Sequence, residues 1–167
     1  NSATFAGDNS QAGTFTSATG YTPEWLGYGS GILLSTGNTS QVIGPNTTEG
    51  SSVNAPGGYT DTDLGLLGGG TSNDSASLTL TFTPTSNRVT LQFTFGSDEY
   101  NEYVYSAFND AMGIWVNGQQ MAILPTGETI SVDSVNQAAT YNPANGNQSR
   151  DPFPGNGTFD SASPSLY

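Results

Sequence analysis

The chain has 167 residues, a length that suits one domain with a sizeable hydrophobic core. Fourteen acidic residues face only two basic ones, the formal net charge is −12, and lysine, histidine and cysteine are absent. These absences exclude a Ser-His-Asp triad, a cysteine nucleophile, a lysine Schiff base and His- or thiolate-ligated metals, and the charge makes nucleic acid and anionic membranes poor partners.

The first elements are short and separated by polar chain. Residues 31–35 (GILLS) form an apolar run that predicts a buried strand, and a Gly/Asn/Thr/Ser-rich loop follows over 36–58. Residues 61–67 (DTDLGLL) predict one helical turn, with either Asp61 or Thr62 as N-cap. The glycine run that follows directly should end this turn.

Two alternating segments give the clearest strand signal. Residues 77–83 (SLTLTFT) and 88–96 (RVTLQFTFG) each place apolar side chains on one face and mostly threonine on the other. The connector between them, PTSN, is short and rich in turn formers. We therefore predict that the two segments form an antiparallel hairpin.

A second hairpin is predicted over residues 113–124, since Asn117-Gly118 is the strongest short hairpin signal. Residues 129–135 (TISVDSV) indicate a further strand. The fold class that follows is all-β, an antiparallel, jelly-roll-like β-sandwich with long Gly/Asn/Thr/Ser-rich loops. It should occupy residues 1–136, and the Pro/Asn/Gly-rich residues 137–167 should be an extended tail, as a separate stretch or as part of the same domain.

Acidic side chains concentrate between the two hairpins, in residues 98–110 (DEYNEYVYSAFND). Carboxylates this close repel one another unless a cation or protons neutralise them, and the chain has almost no basic partner for them. Calcium accepts six to eight oxygen ligands, so a calcium site is one interpretation and a solvated acidic loop is the other. The candidate ligands are Asp98, Glu99, Glu102, Asn109 and Asp110, with Asp61 and Asp63 from the predicted helical turn.

Aromatic rings interleave with these acids at Tyr100, Tyr103, Tyr105 and Phe108. Beside fixed polar groups, such rings can form a platform that stacks on sugars or peptides, with the three tyrosines as candidate ligand-binding residues. The alternative is that the rings cover one end of the sandwich as part of its core.

The segments in order resemble the choice-of-anchor L domain of secreted and surface-attached bacterial proteins. The matching stretches are GILLSTGN at 31–38, GPN at 44–46, YTDTDLGLL at 59–67, the run 77–118 and ISVDSVN at 130–136. The resemblance implies a β-sandwich on the cell surface or outside the cell, related to ligand-binding modules of calcium-dependent adhesins. By position, Asp61 and Asp63 match the family's D-x-D pair, and Asn109-Asp110 its N-D pair. Asp98, Glu99 and Glu102 match its acidic S-E-E-Y-x-E-Y segment, with Asp98 in place of a glutamate.

The family's later strands, a D-G-x-T and a D-S-x-V segment, are not found before Tyr167. We expect either a fragment or a partner that supplies the missing strands at an open sheet edge.

Three functions are compatible with these residues. The first is a non-enzymatic adhesion module that calcium stabilises and that binds a glycan or peptide on another surface. The second is a structural subunit of an extracellular fibre or sheath, built from further copies of the chain. The third is a glycosidase that uses two carboxylates such as Glu99 and Glu102. Their place on one loop argues against it, because such enzymes usually bring the acids from separate elements.

Overall fold

The computed structural model describes residues 1–16, 29–40, 53–97, 99, 103–124 and 127–135. Within them the regular secondary structure is mostly β-strand, with one short α-helix and one 3₁₀ turn (Asn9–Gln11). The strands are β1 (Ser2–Ala6), β2 (Ala12–Thr16), β3 (Ser30–Leu34), β4 (Ser77–Thr81), β5 (Ala111–Met112), β6 (Trp115–Val116), β7 (Gln119–Gln120) and β8 (Ile130–Ser131), and the helix is α1 (Thr62–Gly68).

The strands form four antiparallel pairs: β1 with β4, β2 with β3, β5 with β8, and β6 with β7. The all-β class is therefore confirmed. The described strands do not join into the two facing sheets of a sandwich, so that architecture stays a prediction. The domain limits at 136 and 137 lie at the edge of the part that the structure describes.

The N-terminal strands had no clear signal in the sequence, and a buried glutamine joins them to distant loops. Gln11 is fully buried, and its Oε1 accepts a hydrogen bond from the Asp8 backbone N at 2.7 Å. Its Nε2 donates to the carbonyl oxygens of Thr36, at 3.0 Å, and of Asp74. One side chain thus connects the β1–β2 turn to the chain after β3 and to the loop before β4.

The helix forms where the sequence predicts a helical turn, with Asp61 as the N-cap, and it extends one residue beyond the predicted range, to Gly68. Asp61 is the N-cap, and its carboxylate accepts hydrogen bonds from the backbone N of Asp63 and Leu64. Gly69 ends the helix in the left-handed region, at φ 83°, a conformation that glycine adopts without steric cost.

The first predicted hairpin is wrong. Residues 77–81 do form a strand, but β4 pairs with β1, in the register Phe5↔Leu78 and Ala3↔Leu80. Residues 88–96 form no strand at all. The physical reason is that the alternation in 77–83 specifies an apolar face but not the strand that pairs with it. Strand β1, more than 70 residues earlier, pairs with one side of β4, and the sequence alone does not reveal this distant partner.

The second predicted hairpin is confirmed. Strands β6 and β7 pair with Trp115 opposite Gln120 and Val116 opposite Gln119. Asn117 and Gly118 have φ values of 51° and 80°, and a type I′ turn requires positive φ at both positions. The strand predicted over 129–135 is shorter, because only Ile130–Ser131 pair before the chain turns. Strand β3 exists as predicted, but Ile32 and Leu34 are exposed, so it is not the buried strand we expected.

The apolar core lies in the second half of the described chain. Its buried members are Phe95, Val104, Ala122, Leu124, Ile130, Val132 and Val135. Phe93, Met112 and Ile114 pack against them. This cluster supports the loop that carries the candidate site. No helix in the described ranges is long and apolar enough to cross a membrane.

Candidate functional site

The two aspartates of the D-x-D pair lie at the N-terminal end of α1. The Asp61 Oδ1 atom is 2.9 Å from the Asp63 backbone N and 3.0 Å from the Leu64 backbone N. The Asp61 backbone N donates to the Ser72 hydroxyl oxygen at 2.6 Å, and the same hydroxyl donates to the Asp61 carbonyl at 2.7 Å. Asp61 therefore satisfies the first free N–H groups of the helix, whereas Asp63 is exposed on its first turn.

Asn109 lies at the other end of the same helix. Its Nδ2 donates to the Gly68 carbonyl at 3.2 Å, and its Oδ1 accepts from the Asp133 backbone N at 3.0 Å. A seven-residue helix is about 10 Å long, far more than the separation of two ligands on one calcium ion. The described structure therefore gives Asp61 and Asn109 separate structural contacts and does not bring them together.

Asp110 does meet another part of the acidic loop. Its Oδ2 accepts a hydrogen bond from the buried Ser97 hydroxyl at 2.7 Å, and the same hydroxyl oxygen accepts from the Glu99 backbone N at 3.2 Å. The Asp110 carbonyl accepts from Val132 N at 2.9 Å, which fixes this position to the core. Ser97, Glu99 and Asp110 thus form one connected polar group.

The remaining acidic candidates, Asp98 and Glu102, and the aromatic Tyr100 lie outside the described residues. Within the described ranges, no three acidic side chains are grouped so that they could hold a metal ion. Calcium binding by the loop consequently stays a prediction.

The aromatic candidates differ in their contacts and exposure. Tyr103 is half-buried and packs edge-to-face against Phe108, with ring centroids 5.5 Å apart and an interplanar angle of 80°, whereas Phe108 itself is 61% exposed. Tyr105 is 59% exposed, and its backbone has φ 62°, which is uncommon for a residue with a side chain. Its backbone N donates to Asp133 Oδ1 at 2.5 Å, and this contact helps to hold the unusual conformation.

An open depression of about 350 Å³ lies next to Tyr105. The lining residues are Tyr105, Glu128, Thr129, Ser131, Asp133 and Ser134. The Ser134 hydroxyl donates to the Thr129 carbonyl at 2.5 Å and accepts from the Ser131 backbone N at 2.9 Å. These hydrogen bonds join three of the lining residues to one another. The depression combines one exposed ring with two carboxylates and three hydroxyl side chains.

Of these residues, only Tyr105 was predicted from the sequence to bind a ligand. The pattern of residues 129–135 predicts a strand, in which alternate side chains would face opposite sides. The chain instead turns after Ser131, since Val135 N donates to the Ser131 carbonyl at 2.9 Å. Asp133-Ser134 next to a short strand is a turn signal, and it could have indicated that these residues line the depression.

A family model described as Choice-of-anchor L domain matches residues 1–163. The match confirms the resemblance found in the sequence and extends it beyond residues 31–136 to almost the whole chain. No curated protein and no solved structure matches the chain.

Proposed function

The chain belongs to the choice-of-anchor L domain family, and from this premise we propose that it is a non-enzymatic adhesion or ligand-binding module. Family membership indicates an extracellular, surface-associated protein. The observation that carries the proposal is the depression beside Tyr105, where an exposed ring lies next to fixed polar groups. Ligand sites combine such an apolar surface with a few polar groups that set orientation.

The charges of the depression favour particular ligands. Among the described residues that line it, Glu128 and Asp133 are the charged ones, in a chain of net charge −12. An anionic ligand would therefore be repelled, whereas a neutral glycan or a peptide can offer hydroxyl or amide donors to the carboxylates and stack on the ring. We propose a glycan or a peptide on another surface as the ligand.

Binding assays with a glycan array and a peptide library, followed by calorimetry, test this proposal. Tyr105→Gly keeps the positive φ and removes the ring, so it should weaken binding at least tenfold. Tyr59→Ala is the matched control, because Tyr59 is another exposed tyrosine that does not line the depression. Equal binding by both variants, or hydrolysis of the glycans in the panel, would contradict a non-enzymatic module that uses this site.

Calcium is proposed as the stabilising ion of the 98–110 loop. In the connected group, hydrogen bonds place the Asp110 carboxylate next to the Ser97 hydroxyl and join that hydroxyl to the Glu99 backbone N. Carboxylate oxygens such as those of Asp110 are among the ligands that calcium prefers. An ion that binds only the folded state stabilises it by about 4 kcal/mol at a thousandfold excess over its dissociation constant. This is a large part of the ~5–15 kcal/mol that holds a typical domain together.

Thermal unfolding with and without a chelator tests the calcium proposal. The chelator should lower the Tm by several degrees, and magnesium should restore it poorly because it requires a smaller, octahedral shell. Asp110→Asn should remove the difference between the two conditions. Asp63 lies at the N-terminal end of α1, and Asn109 lies at the other end. The effect of chelator on the Tm of Asp63→Asn therefore shows whether the D-x-D pair takes part in calcium binding. Equal Tm values with and without chelator would leave the acids as a solvated face.

A structural subunit of an extracellular fibre or sheath is the second candidate function. The observation that favours it is an apolar surface on and after β4 and in residues 88–93, where the described chain leaves four large apolar side chains exposed: Leu80, Phe82, Val89 and Leu91. Size in solution separates the two functions, because a ligand-binding module can act as a monomer and a fibre subunit cannot.

A further inference from the structure

Strand β4 has an edge without a partner in the described part of the molecule. It pairs with β1 on one side, and no third strand of the described ranges joins these two. Two-stranded sheets are marginally stable in water, and a third strand on an apolar face is the usual remedy. An open edge also presents backbone N–H and C=O groups that can pair with another strand.

A second segment has strand-like chemistry but pairs with no strand of the described residues. Residues 89–93 form neither helix, strand nor turn, and they make no hydrogen bond to the described residues. The segment nevertheless alternates apolar side chains with Thr90 and Gln92, as a strand with one apolar face does. Val89 and Leu91 are each 61% exposed.

The exposed side chains of both elements are complementary. Leu80 is 53% exposed and Phe82 49%. If residues 88–93 ran antiparallel to β4 with Leu91 opposite Leu80, Val89 would face Phe82, and all four apolar side chains would share one face. A shift by one residue would place leucine opposite glutamine or threonine, so the apolar pattern selects this register.

We propose that residues 88–93 of one copy of this chain add to the open edge of β4 in a second copy. The proposal rests on the second candidate function and names its contact surface. It goes beyond the predicted hairpin, because the pairing that the sequence pattern favours is made between molecules. Donor and acceptor are different surfaces, so the contact can repeat from copy to copy and build a chain of molecules.

Charge identifies the second copy as the partner. Residues 75–97 contain a single charged residue, Arg88, in a chain whose net charge is −12. Two copies that meet through most other surfaces bring carboxylates towards carboxylates, which costs free energy. Through β4 and residues 88–93 they meet across threonine and apolar side chains, and each donor segment carries one positive charge towards an acidic neighbour.

The first experiment measures mass in solution by light scattering across a range of protein concentrations. The unaltered chain should form species larger than 17.3 kDa whose mass rises with concentration. Leu91→Lys places a charge on the donor segment and should weaken association at least tenfold. Leu66→Lys is the matched control, because Leu66 is an exposed leucine on α1, and it should behave as the unaltered chain does. A monomer at all concentrations would overturn the proposal.

Thr90→Pro separates pairing from apolar contact. It keeps every apolar side chain and removes one backbone donor from a segment that makes no hydrogen bond to the rest of the described chain. Association should fall while the Tm of the diluted protein stays the same. A lowered Tm in the dilute monomer would mean that the segment pairs within its own chain, and this result would overturn the proposal.

Cysteine trapping then identifies the strands, since the chain has no cysteine of its own. In the proposed register Thr81 lies opposite Thr90, so a mixture of Thr81→Cys and Thr90→Cys chains should oxidise to a mixed dimer. Leu66→Cys in place of Thr90→Cys should not give that product. A double variant that forms the disulfide only within one chain would overturn the proposal. A trapped dimer that never grows would support the pairing and contradict the fibre.

Discussion

The described parts of residues 1–94 and of residues 95–135 are built on different principles. With the exception of Ala55, every buried hydrophobic residue of the described chain lies between 95 and 135. The first region has the longer strand pairs, but its most deeply buried side chain is the polar Gln11. We refer to these parts as the N-terminal region and the core region.

The two regions show that strand pairing and burial of apolar side chains have different requirements. A hydrogen-bonded ladder needs only two extended segments, but an apolar face is removed from water only when a second layer covers it. In the core region the 128–135 segment and the loop after Phe95 supply that layer. In the N-terminal region Leu80, Phe82, Val89 and Leu91 stay exposed, and this region therefore depends more on hydrogen bonds.

The largest effect should come from truncation in the core region. Ile130 is almost completely buried, so Ile130→Ala should lower the free energy of unfolding by about 2–5 kcal/mol. Ile32→Ala, the same change at an exposed position of β3, should stay within about 0.5 kcal/mol. Urea denaturation measures both. Similar losses at the two positions would erase the distinction between the regions.

Loss of Gln11 should have the next largest effect, and it tests the polar basis of the N-terminal region. Gln11→Ala leaves the Asp8 N–H and the carbonyls of Thr36 and Asp74 without their partner. A fully buried, unsatisfied group costs about 1–3 kcal/mol, and because these three hydrogen bonds are only partly buried we expect a smaller cost for each and a total loss of about 2–3 kcal/mol by urea denaturation. The exposed Gln119 gives the control Gln119→Ala, which should have no measurable effect. A neutral Gln11→Ala would contradict the role of this side chain.

Loss of the N-cap of α1, within the N-terminal region, should have a smaller effect. Asp61→Ala removes the acceptor for two backbone N–H groups and should cost about 1 kcal/mol, measured by thermal unfolding. If the cap is the whole role of Asp61, this loss is the same with and without chelator. A loss that vanishes in chelator would instead assign Asp61 to the calcium site.

The smallest effect should be a pH dependence at Asp8. Hydrogen bonds from the Ser10 hydroxyl and backbone N–H hold the pKa of the Asp8 carboxyl below its ordinary value. Because the folded pKa is the lower one, the charged group stabilises the fold above its unfolded pKa, and this contribution is lost as the pH falls through the folded pKa. Asp8→Asn should therefore have a lower Tm than the unaltered chain at about pH 6, and the gap should close at about pH 2. A gap that is constant with pH would mean that charge is not the cause.

The local features of this protein were predictable because their causes lie within a few residues. Asp61 and the glycines at 68–70 set the limits of α1, and Asn117-Gly118 sets the β6–β7 turn, through backbone geometry that no distant contact has to complete. The family resemblance was readable for a similar reason, since its motifs are runs of adjacent residues.

Tertiary structure decided which segments meet. The partner of β4 is a strand more than 70 residues earlier in the chain, and the alternation in 77–83 fits that strand as well as it fits 88–96. The depression joins Tyr105 to Asp133, which are 28 residues apart, and it exists because the chain turns at Ser131 where the pattern predicted continued strand. A period-two pattern specifies that a face is apolar but not what covers it, so the pairing is selected by the competition of all segments for the same edges and the same core.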